Sequence, residues 1–214
     1  MFRSMVGAFL KKFASCFPRS LGQLRLCRAC RRAAAREDRG RVAAVFACSV
    51  DTFACEQCCA TWYSPGRVED HEVLHFLVTD PQTIDTRSGK LLPRAVNQVH
   101  ERGLSVLRDC ASNEEFEITF AMLRRASDSK GQQRYWHSVS IIPAMAVRYN
   151  GDGRAFAVLD TGYRDRPAHA DIMAPGGTRR EREKQIKALL GTLDANLIGV
   201  ANFRMGVFTR HAQP

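Results

Sequence analysis

No run in this chain approaches the roughly 18 consecutive apolar residues of a membrane-crossing helix, so no segment reads as a transmembrane span. Acidic residues are missing from positions 1–36, where nine Arg and Lys stand. Cysteine is nearly missing beyond residue 59. Seven of the eight lie between Cys16 and Cys59, and only Cys110 falls beyond them. A secreted disulfide scaffold spreads its cysteines through the core, so this clustering argues against that class and leaves metal ligation, redox chemistry or no role. Lysine is scarce as well, six against 26 Arg. Guanidinium forks suit phosphate, although GC-rich coding produces the same excess.

What is present is unevenly placed. Residues 1–60 carry eleven basic and four acidic side chains, a net of +7 out of the chain's +10. The body is therefore nearly balanced, and the basic character belongs to the N-terminal segment, where it suits nucleic acid or another anionic surface. Phe2, Met5, Val6, Phe9, Leu10 and Phe13 recur at roughly helical spacing. Residues 1–36 thus read as a mitochondrial presequence, a basic surface helix or an extension from a start assigned too far upstream. Without a presequence the expected location is the cytoplasm. The turn cluster Tyr63-Ser64-Pro65-Gly66 marks a boundary. It divides a Cys-rich segment, residues 1–62, that is disordered, targeting or zinc-binding, from a globular domain at 63–214.

Within that domain, Ser112 with Glu115 and Thr178 with Glu181 are capping boxes. They open helices expected at 113–125 and 179–193. Gly103–Leu107 and Asn196–Val200 read as strands, and Pro93–Glu101 as one or two helical turns. Val139–Tyr149 and Arg154–Leu159 flank Asn150-Gly151-Asp152-Gly153, a strong hairpin signal. Pro143 within the first arm points to an edge or a bulge. The expected class is α+β: a mixed or antiparallel sheet, with a hairpin near residues 139–160, packed against two or three helices.

Three constellations carry candidate chemistry. His71-Glu72-Val73-Leu74-His75 spells H-E-x-x-H, and Val73, Leu74, Leu77 and Val78 fit a short helix over 68–78. On a helix, His71 and His75 would hold Zn²⁺ while Glu72 takes a proton from the metal-bound water, whose pKa falls to about 7. The string resembles zinc metallopeptidases over these five residues alone. The metzincin continuation is absent, since Val78 stands where Gly is expected and Pro81 where His is expected. A third ligand would come from Glu101, Glu114 or Glu115.

The second constellation is Cys27-x-x-Cys30 and Cys55-x-x-Cys58, separated by 24 residues. Four thiolates in two such pairs close a tetrahedral structural zinc site. The third is the loop from Asp160 to Asp171. Asp160, His169 and Asp171 there offer an acid–base group or a metal site, and Arg164 and Arg166 an anion contact. Ser105 lacks the second glycine of a nucleophile elbow. The leading expectation is a non-enzymatic or accessory α+β protein whose basic Cys-rich segment binds zinc and anionic partners. The alternative is a zinc hydrolase on His71, Glu72 and His75. A third reading makes residues 160–171 the working site of an enzyme.

Overall fold

The computed structural model describes residues 63–128, 131, 133–150 and 153–203, together with Phe53 and Glu56. Cys27, Cys30, Cys55 and Cys58, and the basic leader, lie outside the described residues. Among the described residues the strands are β1 (Val73–Asp80), β2 (Ile84–Asp85), β3 (Lys90–Leu91), β4 (Leu104–Arg108), β5 (Tyr135–Pro143), β6 (Tyr149–Asn150), β7 (Gly153–Arg154), β8 (Ala157–Asp160), β9 (His169–Met173) and β10 (Leu197–Gly199). Helices among the described residues include α1 (Asn113–Asp128), α2 (Ala144–Arg148) and α3 (Arg179–Asp194). Six strands form one antiparallel sheet in the order β10-β5-β1-β4-β9-β8, so the class is α+β. No helix among the described residues is long and apolar enough to cross a membrane.

The two faces of the sheet are assigned by the period-two alternation of strand side chains. On one face Leu74, Phe76, Val78, Leu104, Val106, Ile142, Val158, Ala170 and Ile172 pack with Leu189 and Leu193 of α3. On the other, Leu77, Leu107 and Val139 pack with Phe116 of α1 and with Phe203. Each large side chain so buried stabilises the fold by about 1.5–3 kcal/mol. Both capping boxes are formed. Glu115 N donates to Ser112 Oγ at 3.2 Å while Ser112 N donates to Glu115 at 2.8 Å. Glu181 and Thr178 make the same exchange at the start of α3.

Two expectations fail on β1 and β5. Residues 73–80 form a strand, not a helix, because both faces of this central strand are covered and its apolar residues run almost without a break. Val139–Tyr149 does not run as one strand either. Pro143 has no N–H for a sheet ladder, so it ends β5 and becomes the N-cap of α2. The hairpin survives as the short β6–β7 ladder, Tyr149 opposite Arg154 and Asn150 opposite Gly153. β5 and β8 do not pair in the sheet.

Two buried arginines hold the segment that leads into β1. Arg148 in α2, 1% exposed, donates to Glu56 at 2.5 Å, Asp70 at 2.6 Å and the Val68 carbonyl at 2.5 Å. Glu56 also pairs with Arg154 and accepts the backbone N–H of Val158 on the edge strand β8 at 2.8 Å. The second arginine, Arg108, sits at the end of β4 beside the candidate site.

Candidate functional site

The register explains where each candidate residue goes. In β9, His169 and Asp171 are two apart and share a face. They stand opposite Leu107 and Ser105 of β4, and Leu107 belongs to the α1-covered face. Asp160 instead pairs with Ala170, which belongs to the α3-covered face. The loop constellation is therefore divided by the sheet: Asp160 lies on one side, and His169 with Asp171 on the other.

On Asp160's side the cluster is ionic. Arg108 forks onto Glu72, with Nε to Oε2 at 2.7 Å and NH2 to Oε1 at 2.6 Å. Its NH1 donates to the Gly66 carbonyl at 2.6 Å and lies 3.8 Å from Asp160 Oδ1. Ser64 donates its hydroxyl to Asp160 Oδ2. Burial pushes the Asp160 carboxyl up to about 7, against the opposing pull of Arg108 and the Ser64 hydrogen bond. These contacts tie the turn at 64–67 to the ends of β4 and β8.

This overturns the metal-hydrolase geometry of H-E-x-x-H. His71 is exposed in the turn before β1, whereas His75 is within the strand. Strand geometry removes the helical arrangement that would stack the two imidazoles one turn apart. His75 lies in the apolar layer, 5.4 Å from the Phe116 ring and 5.7 Å from that of Phe203. Glu72, meant to receive a proton, has both oxygens in the Arg108 fork, and Oε1 also accepts Glu69 N at 2.8 Å. No group of three or more His, Cys, Asp or Glu that could hold a metal occurs among the described residues.

The opposite face carries a hydrogen-bonded chain. Ser105 Oγ lies 3.1 Å from His169 Nε2, and His169 Nδ1 lies 2.9 Å from Thr161 Oγ1 and 3.2 Å from the Thr161 carbonyl. Thr161 donates its hydroxyl to Asp171 Oδ2 at 2.8 Å, and that oxygen is 4.0 Å from Nδ1. The Thr161 carbonyl can only accept, and its hydroxyl proton is directed to Asp171. In the neutral ring Nδ1 therefore carries the proton, and the Nε2 lone pair faces Ser105. His169, Thr161 and Asp171 are buried, while Ser105 is half-buried. The Tyr163 ring covers His169 at 4.8 Å, and Arg166 stacks on Tyr163 at 4.7 Å. Arg164, the other expected anion contact, is exposed.

Two glycines allow this packing. At Gly103, where φ is +84°, a Cβ would lie 2.8 Å from that of Asp171. At Gly162 a Cβ would meet the Pro167 carbonyl at 2.3 Å and Ser64 Cβ at 2.9 Å. No local glycine motif marks Ser105 as a nucleophile. The partner is 64 positions away, and the only available signal was the matching parity of Ser105-x-Leu107 and His169-x-Asp171.

A separate feature lies on α3. Arg179, Arg180, Arg182, Lys184 and Lys187 are all exposed. Glu181 is engaged in the capping box and Glu183 pairs with Arg179 at 2.9 Å. Arg180, Lys184 and Lys187, at i, i+4 and i+7, form one stripe about 10 Å long. No salt bridge reaches that stripe among the described residues. Comparisons with protein-family models, with curated proteins and with solved structures give no match.

Proposed function

We infer that the chain is an accessory protein that binds a polyanion, nucleic acid foremost, through the α3 stripe and the basic segment at 1–60. The observation that carries this reading is the placement of cations on α3. Its N-terminal half gathers four basic residues, Lys187 follows just past the midpoint, and its last turn has none. Cations are unfavourable at the positive end of a helix dipole, and Arg180 with Lys184 is a like-charge i,i+4 pair. Each costs a few tenths of a kcal/mol in an isolated helix. A phosphate backbone removes both penalties, and the leader's +7 supports the same partner.

The test is binding of a fluorescent 20-base-pair duplex and a 20-nucleotide RNA by the full-length protein over a salt series. Affinity should drop steeply with salt. Neutralising Arg180, Lys184 and Lys187 to Gln should reduce the slope of log K against log salt by about 0.9 for each duplex phosphate that the variant no longer neutralises. A salt-insensitive interaction, or an unchanged slope in the triple variant, counts against this reading. Substitution in the full chain is preferable to removing residues 1–60, because that deletion also removes Glu56. Zinc on Cys27, Cys30, Cys55 and Cys58 belongs to the same reading, as a structural element of the basic segment.

A further inference from the structure

We propose that Ser105 is a nucleophile, with His169 as its general base and Thr161 and Asp171 as positioning residues, acting on carboxylic esters and similarly activated acyl compounds. This goes beyond polyanion binding and does not depend on it. The chain of contacts has the polarity that acyl transfer needs. Two acceptors on Thr161 fix the proton at Nδ1, leaving the Nε2 lone pair for the Ser105 hydroxyl. The Asp171 carboxylate, 4.0 Å from Nδ1, stabilises the imidazolium that forms when His169 takes that proton. Burial of His169 and Asp171 at 1% exposure each strengthens this attraction. Of the four residues only Ser105 is half-buried and the other three are buried, so the chain is least enclosed at its serine end.

The step balances without a cofactor. Ser105 Oγ bonds to the acyl carbon and its proton passes to His169 Nε2. The bond from carbon to the leaving oxygen breaks, and that oxygen takes the proton from Nε2. Water, deprotonated in turn by His169, then attacks the acyl-serine, releasing the carboxylic acid and restoring the Ser105 hydroxyl. The close approach of Gly103 to Asp171 belongs to the same design, since a side chain at 103 would displace the carboxylate.

The experiment treats full-length protein with a fluorophosphonate probe, in which Ser105 Oγ displaces fluoride from phosphorus, and follows intact mass and peptide mapping. One equivalent should attach at Ser105, and hydrolysis of p-nitrophenyl acetate should exceed that of buffer. Ser105→Ala should abolish the labelling and lower turnover at least 100-fold, the scale of general-base assistance, with an unchanged circular-dichroism spectrum. The labelling rate should rise with pH as His169 loses its proton. Thr161→Val should shift the midpoint of that profile, a readout that a purely packing role for Thr161 would leave in place. Absence of labelling in folded wild-type protein, or labelling that persists in Ser105→Ala, overturns the proposal. Should Ser105→Ala fail to fold, Ser105→Cys decides: its thiol should react with iodoacetamide at a rate that follows the His169 titration, and a rate equal to that of a small-molecule thiol rejects the base.

Discussion

At the β4–β9–β8 end of the sheet, two polar clusters lie back to back and differ in kind. The side with Arg108, Glu72, Asp160 and Ser64 is ionic, and Arg108 is met by two carboxylates and by backbone carbonyls. The side with Ser105, His169, Thr161 and Asp171 is a single file of hydrogen bonds that ends on a half-buried hydroxyl. A closed ionic cluster is suited to fixing a loop. An open-ended file of donors and acceptors is suited to moving a proton. One sheet produces both because side chains alternate between its faces, and Asp160 at the end of β8 and Thr161 just after it serve different clusters.

The largest effect should come from cutting the ionic side. Arg108→Ala leaves Glu72 and Asp160 buried without their cation, and breaking a buried pair costs about 3–5 kcal/mol. Urea unfolding should show this loss, and a change under about 1 kcal/mol would mean that solvent reaches the pair. Next is the pH dependence of Asp160. Its carboxyl is raised from 3.8 in the unfolded chain to about 7 by burial. Between those values the folded state binds the extra proton, so this contribution to stability is fully present below about pH 4. It is lost as pH rises through 7, by up to about 1.4 kcal/mol per pH unit. Asp160→Asn should flatten that part of the stability profile, and an unaltered profile would assign the slope elsewhere.

The opposite face should respond in the reverse manner. Ser105→Ala removes one hydroxyl at a half-exposed position and should alter stability by less than about 1 kcal/mol, while labelling disappears. A large destabilisation would make Ser105 a structural member like Arg108. The smallest effect belongs to α3. Arg180→Gln should raise the thermal midpoint by about 1–2 °C, because it removes a cation from the positive end of the helix. It should weaken polyanion binding at the same time. For the cysteine pairs, metal analysis of full-length protein should find one zinc, and Cys27→Ser with Cys55→Ser should remove it without unfolding the sheet domain.

The readable parts of this chain were the ones decided within a few residues. Ser112 with Glu115 and Thr178 with Glu181 fix their helix starts through contacts three positions apart, and both formed. Residues 68–78 misled because Val73, Leu74, Leu77 and Val78 satisfy a helical period, while the whole apolar run also satisfies a strand buried on both faces. The choice is made by β4 and β5, which pair on either side of β1. The carbonyls of Asp70 and Glu72 are drawn in the same direction, accepting from Met145 and Ala144. Ser105 was illegible for a similar reason: its chemistry depends on which strand lies beside β4, and no local pattern states that.

Glu56 has a last consequence. The outermost strand of a sheet offers unpaired amides to any other chain that can add alongside, and proteins suppress such growth by covering or charging the rim. A carboxylate seated on the Val158 N–H, and neutralised by Arg148 and Arg154, occupies that position on β8. Glu56→Ala would therefore take a carboxylate from two guanidinium groups, leaving Arg148 with Asp70 and the Val68 carbonyl, and open the rim at the same time. The expected outcome is concentration-dependent self-association by light scattering, in addition to lost stability, which ties the solubility of the whole molecule to one acidic residue between two cysteines.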